Sequence, residues 1–167
     1  MSANPAPHIR PYLPDDLDRL KELTAVCFDG VSIDRNIQEK FGKIGGQDWR
    51  FRKLRHIDAD VAGDHSRGVF VYELAGRVVG YITTRVDGDT RIGWIPNMAV
   101  DPAHQGQGIG KALMAQALRH MRDCGMEAAK IETLEQNLIG SKFYPGTGFE
   151  EVGRQVHYLM RLHEDDG

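Results

Sequence analysis

A glycine-rich turn that runs straight into a helical pattern is the feature that most constrains this chain of 167 residues. The turn reads VDPAHQGQGIGK over residues 100–111, with glycine at every second position from 106 to 110. Apolar residues then recur at helical spacing until Gly125, which stands where a left-handed cap is expected. At the start of such a helix, unpaired backbone N–H groups and the positive end of the helix dipole converge. The sequence therefore predicts an anion site at this turn.

Two common phosphate-binding motifs do not fit the spacing of the turn. A P-loop needs glycine five residues before its Gly-Lys pair and Ser or Thr after it, but those positions hold Gln105 and Ala112. A dinucleotide-binding fingerprint that begins at Gly106 needs a small residue at position 111, which is Lys111. The turn therefore belongs to another class of anion site.

The remaining periodicity predicts a mixed α/β domain. A short strand and a helix fill residues 8–28, and two helices broken at Gly45-Gly46 fill residues 31–62. Three antiparallel strands follow as a meander, and a strand, a short helix stopped by Pro145 and a closing pair of strands follow the long helix. These segments are 68–75, 77–86 and 90–100 for the meander, then 128–135, 137–144, 148–152 and 154–162.

Composition narrows the class of protein. A formal net charge of -3 removes the basic excess typical of nucleic-acid binders, and no apolar run is long enough for a membrane span. The start of the chain lacks the pattern of a secretory signal, and Cys27 and Cys124 have no close spacing. We expect one cytoplasmic domain over residues 1–167, frayed at 1–7 and 163–167, with no nucleic-acid or membrane partner.

Two motifs carry a resemblance to a known family. The turn contains Gln105-x-x-Gly108-x-Gly110, and a later block, NLIGSKFYPGTGF, begins at Asn137 and contains Tyr144. In this order and about 30 residues apart, they resemble the GCN5-related N-acetyltransferase (GNAT) family. Gly140 and the Pro145-Gly146 pair depart from that family's pattern. The resemblance covers about the last 75 residues.

The resemblance implies a fold and a co-substrate. The fold is a mixed central sheet of six to seven strands, mostly antiparallel, splayed between strands 4 and 5 and flanked by helices. The anion is the pyrophosphate of acetyl-coenzyme A, whose pantetheine arm pairs with the backbone of the strand before the turn. The residues implied to bind it are Met98, Ala99, Val100, Gln105, Gly106, Gln107, Gly108, Ile109, Gly110, Lys111, Asn137 and Tyr144.

The resemblance also implies an acetyl transfer to a primary amine in a ternary complex. Tyr144 is the implied general acid for the leaving thiolate. The general base is open, because Pro96 stands where many relatives carry glutamate; Glu132 is the leading candidate, and Glu73, His104 and water are the others. Pro96 instead predicts a strand bulge, with a backbone N–H near Met98 as the oxyanion donor.

Several alternatives stay open at this stage. The chain could be a non-catalytic acyl-coenzyme A binding module or could transfer a larger acyl group. The amine acceptor, a small molecule or a peptide or protein, is not identified, and the oligomeric state is open, a homodimer included. No metal site is predicted, because the acidic and histidine side chains of one polar stretch are interpreted as a solvated face. They are His56, Asp58, Asp60, Asp64 and His65.

Overall fold

A computed structural model of the chain describes residues 6–162. Within that range the strands and helices follow one another in the predicted order, up to the last helix. The strands are β1 (His8–Pro11), β2 (Phe70–Leu74), β3 (Arg77–Ile82), β4 (Ile92–Trp94), β5 (Met98–Val100) and β6 (Ala128–Lys130). The helices are α1 (Leu17–Cys27), α2 (Ile33–Phe41), α3 (Trp49–Asp60), α4 (Ile109–Asp123) and α5 (Leu138–Gly146).

The strands form two hydrogen-bonded groups. Four of them make an antiparallel sheet in the order β1-β2-β3-β5, and β4 pairs with β6 in parallel. The register shifts between Tyr72 and Glu73, where a bulge interrupts the pairing of β2 with β3. This arrangement confirms the predicted mixed sheet flanked by helices, with six strands in the described part of the chain.

A single predicted strand, residues 90–100, is divided between the two groups. Trp94 pairs with Lys130 of β6, whereas Met98 pairs with Ile82 of β3. Pro96 lies in the break, and proline is tolerated in strands at such irregular points because it cannot donate to the ladder. β6 runs beside the first half of this segment only. β5 and the chain that continues β6 therefore diverge beyond Pro96, which is the predicted splay.

Helices cover both faces of the four-stranded sheet. On one face, α4 packs Leu113, Met114 and Ala117 against Val79 and Ile82. On the other face, apolar residues of α1 and α3 pack against the opposite side chains of the same strands, which are Val71, Val78, Tyr81 and Ala99. The turn before α4 and the end of β5 therefore meet between these two layers.

Three predictions near the end of the chain are wrong. The strand predicted at 128–135 ends at Lys130. The helix predicted to stop before Pro145 continues to Gly146, because a proline in the last turn loses only one helical hydrogen bond there. The closing pair of strands is absent: residues 149–161 have no regular structure, and those from 150 onward are exposed.

Other features of residues 6–162 bear on the predictions. No helix there is both long and apolar enough to cross a membrane. Cys27 is half-buried, Cys124 is exposed, and both are free thiols. The two helices predicted on either side of Gly45-Gly46 are confirmed as α2 and α3.

Candidate functional site

The glycine turn ends in the N-terminus of α4. Gly108 is the N-cap residue, with φ of 82°, and Gly106 has φ of 79°. L-residues with side chains rarely adopt this left-handed conformation, which explains glycine at both positions. The first helical hydrogen bond runs from Ala112 N–H to the Gly108 carbonyl at 3.1 Å. The N–H groups of the preceding three residues therefore have no helical partner, which is the arrangement that a predicted anion site requires.

The strand before the turn presents an open backbone edge. The carbonyl of Asn97 accepts from Thr83 N–H at 2.9 Å, and Asp101 N–H donates to the Val79 carbonyl at 2.8 Å. In an antiparallel pair these bonds alternate, so the backbone groups of Met98 and Val100 point away from β3. They face the gap that opens between β5 and the continuation of β6.

Residues predicted to bind the co-substrate occupy different places around this edge. Ala99 pairs with Tyr81, so its backbone turns toward β3 and its side chain is buried. The backbone groups of Ala99 are thus used within the sheet, and its predicted contact with the co-substrate stays a prediction. The side chain of Gln105 donates to the Val100 carbonyl at 3.1 Å and ties the turn to the strand. Gln107 and Lys111 are exposed, and Ile109 is buried beneath the turn.

The two sequence motifs meet where α5 contacts the start of α4. A Cβ built on Gly110 would lie 3.4 Å from Cζ of Phe143. The Phe143 ring lies edge-on to Tyr144, with 5.5 Å between the ring centroids. Tyr144 in turn lies edge-on to Phe149 at 6.2 Å. The predicted anion turn and the predicted catalytic tyrosine are therefore parts of one packed unit.

Tyr144 is half-buried against the core on the α4 side. Among residues 6–162, no group hydrogen-bonds to its hydroxyl. Burial raises the pKa of Tyr144 to about 12, because the phenolate is poorly solvated there. The hydroxyl therefore keeps its proton at physiological pH and has no competing acceptor nearby.

Asn137 caps α5. Its side-chain oxygen accepts from Gly140 N–H at 3.0 Å, and its amide nitrogen donates to Thr133 Oγ1 at 2.9 Å. A Cβ on Gly140 would lie only 2.7 Å from that amide nitrogen. The departure from the family pattern at this position therefore makes room for the cap.

Glu132 follows β6 and is exposed. Its carboxylate accepts from Trp94 Nε1 at 3.1 Å, so it lies next to the last residue before the break. Of the other predicted bases, Glu73 is on β2, two strands from β5, and is paired with Arg10 at 2.8 Å. Glu73 is therefore set apart from the gap. His104 is half-buried in the short turn before Gln105.

A buried polar network, which the sequence did not predict, fixes Asn97 at the break in the strand. Asn97 accepts from Lys53 Nζ and donates to Asp60, both at 2.7 Å. Asp60 also accepts from Thr83 Oγ1 and Arg85 Nη2, both at 2.9 Å. The interpretation of Asp60 as part of a solvated face is thus wrong, because only 2% of it is exposed.

Lys53 is the unusual member of this network. Its ammonium lies 3.9 Å from the centre of the Phe28 ring. Burial lowers the pKa of Lys53 to about 8, against the opposing pull of Asp34 and Asp60. The sequence signal for this network was Asn97 beside Pro96, because a buried amide in a broken strand needs hydrogen-bond partners for its polar groups.

The fold and the site together define a mixed α/β protein in which a glycine turn at a helix N-terminus lies beside an open strand edge. The profile of the Acetyltransferase (GNAT) family matches residues 31–149. Because this match spans most of the chain, the chain belongs to the GNAT acetyltransferase family. The matched region includes α2 and α3, which lie outside the last 75 residues that carry the motif resemblance.

Named relatives agree with this assignment. The chain is 34% identical over 110 residues to mycothiol acetyltransferase of Thermomonospora curvata, covering 66% of this chain and 36% of that protein. It is 30% identical over 128 residues to N-acetyltransferase 8B of Rattus norvegicus, covering 70% and 58% respectively. The chain thus spans well under half of the mycothiol acetyltransferase and just over half of the rat protein.

Solved structures share the fold. The ribosomal-protein-S18-alanine N-acetyltransferase from Escherichia coli superposes with a TM-score of 0.65 at 18% identity, covering 88% of this chain and 79% of the other. AAC(6')-Iy in complex with the bisubstrate analogue CoA-S-monomethyl-acetylneamine gives a TM-score of 0.62 at 19% identity, covering 94% and 99%. At these identities the likeness shows the architecture alone.

Proposed function

We propose that this protein is an N-acetyltransferase that moves the acetyl group of acetyl-coenzyme A to a primary amine. The observation that carries the proposal is the open backbone edge at Met98, continued by the N–H of Val100, which leads directly into the glycine turn. Amides of the pantetheine arm can pair with such an edge as a neighbouring strand would. The pyrophosphate then meets the free N–H groups at the start of α4.

The proposed reaction is a direct transfer. The lone pair of the amine attacks the thioester carbonyl carbon, and the carbonyl oxygen gains negative charge. The N–H of Met98, which points into the gap, stabilises that oxyanion. Collapse of the tetrahedral intermediate re-forms the carbonyl and breaks the carbon–sulfur bond. The coenzyme A thiolate leaves and takes a proton from the Tyr144 hydroxyl. The amide nitrogen loses its extra proton to solvent, and solvent returns a proton to the Tyr144 phenolate.

The raised pKa of Tyr144, about 12, suits a donor that must stay protonated until the thiolate forms. A thiol in water has a pKa near 8.5, so the transfer from Tyr144 is uphill for a solvated thiolate. A thiolate expelled into the gap is poorly solvated, however, and its basicity rises with desolvation. Burial therefore raises both the pKa of the Tyr144 hydroxyl and the pKa of the leaving thiol.

Glu132 is the proposed base. It is exposed beside Trp94, at the side of the gap opposite β5, where an amine can approach from solvent. An ammonium acceptor must lose one proton before attack, and a carboxylate can take it directly or through one water. Glu132 would hold that proton until solvent removes it, which resets the site.

The class of acceptor is drawn from the relatives. Names of the matched proteins and structures include mycothiol, aminoglycoside and ribosomal-protein alanine acetyltransferases. We infer a primary amine on a small molecule or a peptide, and we place the reaction in the cytoplasm, where acetyl-coenzyme A is available. A non-catalytic acyl-coenzyme A binding module is the second candidate, because Pro96 stands where many relatives carry a glutamate.

One experiment separates the two candidates. Acetyl-coenzyme A is mixed with the protein and with panels of aminoglycosides, amino acids, polyamines and peptides, and released thiol is measured. Turnover with any amine supports the transferase. Tight binding of acetyl-coenzyme A without thiol release from any panel supports the binding module, and stabilisation by ATP or NAD but not by acetyl-coenzyme A contradicts both.

A further inference from the structure

We propose that Thr83 and Asp60 are positioning residues for the acetyl transfer, because they fix the peptide unit before Met98 so that the Met98 N–H points into the gap. Their role rests on the proposed function, in which this N–H stabilises the oxyanion. Both side chains act through the backbone of β5 and do not contact the reacting atoms themselves.

The direction of the Met98 N–H follows from that of the Asn97 carbonyl. The peptide unit that joins these two residues is trans, and a planar trans unit turns its C=O and its N–H to opposite sides. The Asn97 carbonyl accepts from Thr83 N–H at 2.9 Å and so faces β3. The Met98 N–H therefore points away from β3, and any tilt of this peptide unit changes its aim.

The second hydrogen bond of this pair is irregular. In a regular antiparallel ladder, the Asn97 N–H would donate to the Thr83 carbonyl. It donates instead to Thr83 Oγ1 at 3.0 Å. The Thr83 hydroxyl thus takes the place of a backbone acceptor directly after Pro96, where the strand is broken.

Asp60 sets the direction of the Thr83 hydroxyl. A hydroxyl has one proton to donate and lone pairs with which to accept. Asp60 Oδ2 lies 2.9 Å from Thr83 Oγ1, and the other available acceptor, the Asn97 carbonyl, lies at 3.3 Å. A hydrogen bond to a carboxylate is the stronger of the two. The proton therefore points to Asp60, and a lone pair is left for the Asn97 N–H.

Asp60 also joins the two sides of the break. Its Oδ2 accepts from Asn97 Nδ2 at 2.7 Å, and its Oδ1 accepts from Arg85 Nη2 at 2.9 Å. The backbone of Arg85 pairs with that of Trp94, through bonds of 2.8 and 2.9 Å. Since Trp94 precedes Pro96 and Asn97 follows it, one buried carboxylate fixes the position of one side relative to the other.

Lys53 fixes the orientation of the Asn97 side chain. The amide oxygen accepts from the Lys53 ammonium, and the amide nitrogen donates to Asp60. A rotated amide would turn its NH₂ group toward the ammonium and its oxygen toward the carboxylate, so only one orientation is stable. Because Lys53, Asp60, Thr83 and Asn97 are all buried, water does not compete for these bonds.

Kinetics of threonine variants test the positioning role. Thr83→Val keeps the shape of the side chain but removes the hydroxyl, whereas Thr83→Ser keeps the hydroxyl. We expect Thr83→Val to lower kcat by about 10- to 100-fold, at or below the loss for removing an oxyanion donor, with little change in the KM for acetyl-coenzyme A. Thr83→Ser should retain most of the wild-type kcat. Asp60→Asn, which removes the charge, should show the same loss in kcat as Thr83→Val.

Thr84→Val is the matched control. Thr84 is also buried, and its hydroxyl donates to the Gly68 carbonyl at 2.7 Å, away from the break. Each valine variant loses one buried hydrogen bond, so both should be less stable than wild type. The kcat of Thr84→Val should stay close to that of wild type. If wild type turns over and the two valine variants have equal kcat, the positioning role is overturned while the proposed function stands.

A measurement on the Met98 amide needs no acceptor amine. The chain contains six methionines, so labelling with ¹⁵N-methionine gives few amide signals, and Met98→Leu identifies the one that belongs to Met98. A carbonyl that accepts from an N–H shifts the resonance of that amide proton. In wild type and Thr84→Val, the Met98 signal should therefore differ between the complexes with acetyl-coenzyme A and with coenzyme A. Thr83→Val and Asp60→Asn should lose this difference, and either one suffices if the other does not fold.

The two readouts separate the positioning role from the proposed function. A Met98 difference that is lost in Thr83→Val, without thiol release from any amine, supports the positioning role and contradicts the transferase. An equal Met98 signal with both ligands in wild type overturns the positioning role whatever the turnover, as does a difference that survives in Thr83→Val and Asp60→Asn. If acetyl-coenzyme A does not bind to wild type, both proposals fail.

Discussion

Lys53 donates a 2.7 Å hydrogen bond to Oδ1 of Asn97, the residue that ends the break between β4 and β5. Its ammonium is buried, and its pKa is lowered to about 8. The unfolded chain binds a proton on this lysine up to its ordinary pKa of 10.5, whereas the folded chain releases it near 8. The penalty for burying the charge is therefore complete below about pH 8 and disappears as pH rises toward 10.5.

We predict that the free energy of unfolding of wild type increases by up to about 3 kcal/mol, relative to Lys53→Met, between pH 7 and 10.5. The neutral amine can still donate to Asn97, so the hydrogen bond survives the titration. Urea unfolding of both proteins at several pH values measures the difference. Lys21→Met, on the half-exposed Lys21 paired with Asp58, is the control and should show little pH-dependent difference. A pH-independent gap between wild type and Lys53→Met would contradict the prediction.

Gly108→Val should abolish binding of acetyl-coenzyme A while the protein stays folded. A side chain at φ of 82° strains the backbone by about 1–2 kcal/mol and narrows the approach to the N–H groups at the start of α4. Thermal shift with and without acetyl-coenzyme A measures the loss. The control is Gly88→Val in the exposed hairpin, where a Cβ meets nothing within 4 Å. A normal ligand-induced shift in Gly108→Val would place the anion site elsewhere.

Tyr144→Phe should lower kcat about 100-fold, with little change in acetyl-coenzyme A affinity, because the ring still packs against Phe143 and Phe149. Since the pKa of Tyr144 is raised to about 12, its ionisation should not reduce wild-type activity below about pH 11. Steady-state rates across pH test both points. Tyr72→Phe, on β2, is the matched control. Full activity in Tyr144→Phe would show that another group protonates the thiolate.

Glu132→Gln should lose rate most at low pH and regain part of it as pH rises. At high pH the solution supplies the free amine that the carboxylate would otherwise produce. The profile therefore differs from that of Tyr144→Phe, whose defect should persist across pH. The control is Glu127→Gln, an exposed carboxylate paired with Arg91. An equal loss at every pH would assign Glu132 a role other than proton removal.

Gly140→Ala should destabilise the protein by about 1–2 kcal/mol, whereas Gly146→Ala in the same helix should be neutral or slightly stabilising. Alanine normally favours a helix over glycine by about 0.5–1 kcal/mol. At Gly140, however, the new Cβ would lie 2.7 Å from the amide of Asn137 and 2.9 Å from Thr133 Oγ1, while Gly146 is open. Chemical unfolding of both variants tests this opposition of sign. Destabilisation of equal size at both positions would exclude the cap as its cause.

The sequence was sufficient to predict elements whose structure depends on local chemistry. Gly108 and the apolar repeat after it fix the start of α4, and Pro96 predicts the break in the strand, because both act through backbone geometry at one place. The predicted elements from β1 to α5 follow in order. The departures occur where distant segments decide the outcome.

Asp60 illustrates that limit. The residues on either side of it, 58–62, are otherwise exposed or half-buried, so its burial depends on partners up to 37 residues away, as in its bond to Asn97. The predicted last strand, residues 154–162, illustrates it in the other direction, since Tyr158 and Met160 alternate as strand residues do, yet a strand also requires an edge to pair with. A short window of sequence therefore determines neither the burial of Asp60 nor the pairing of residues 154–162.

The break at Pro96 also has a kinetic consequence under the proposed function. Beyond Pro96, the exposed edge of β5 is one wall of the gap, and the opposite side, near Trp94, carries Glu132. A donor that pairs with Met98 and Val100 supplies the missing wall, so an acceptor amine meets a complete surface only after the donor has bound. The architecture therefore favours a compulsory order of binding, with acetyl-coenzyme A first and the amine second.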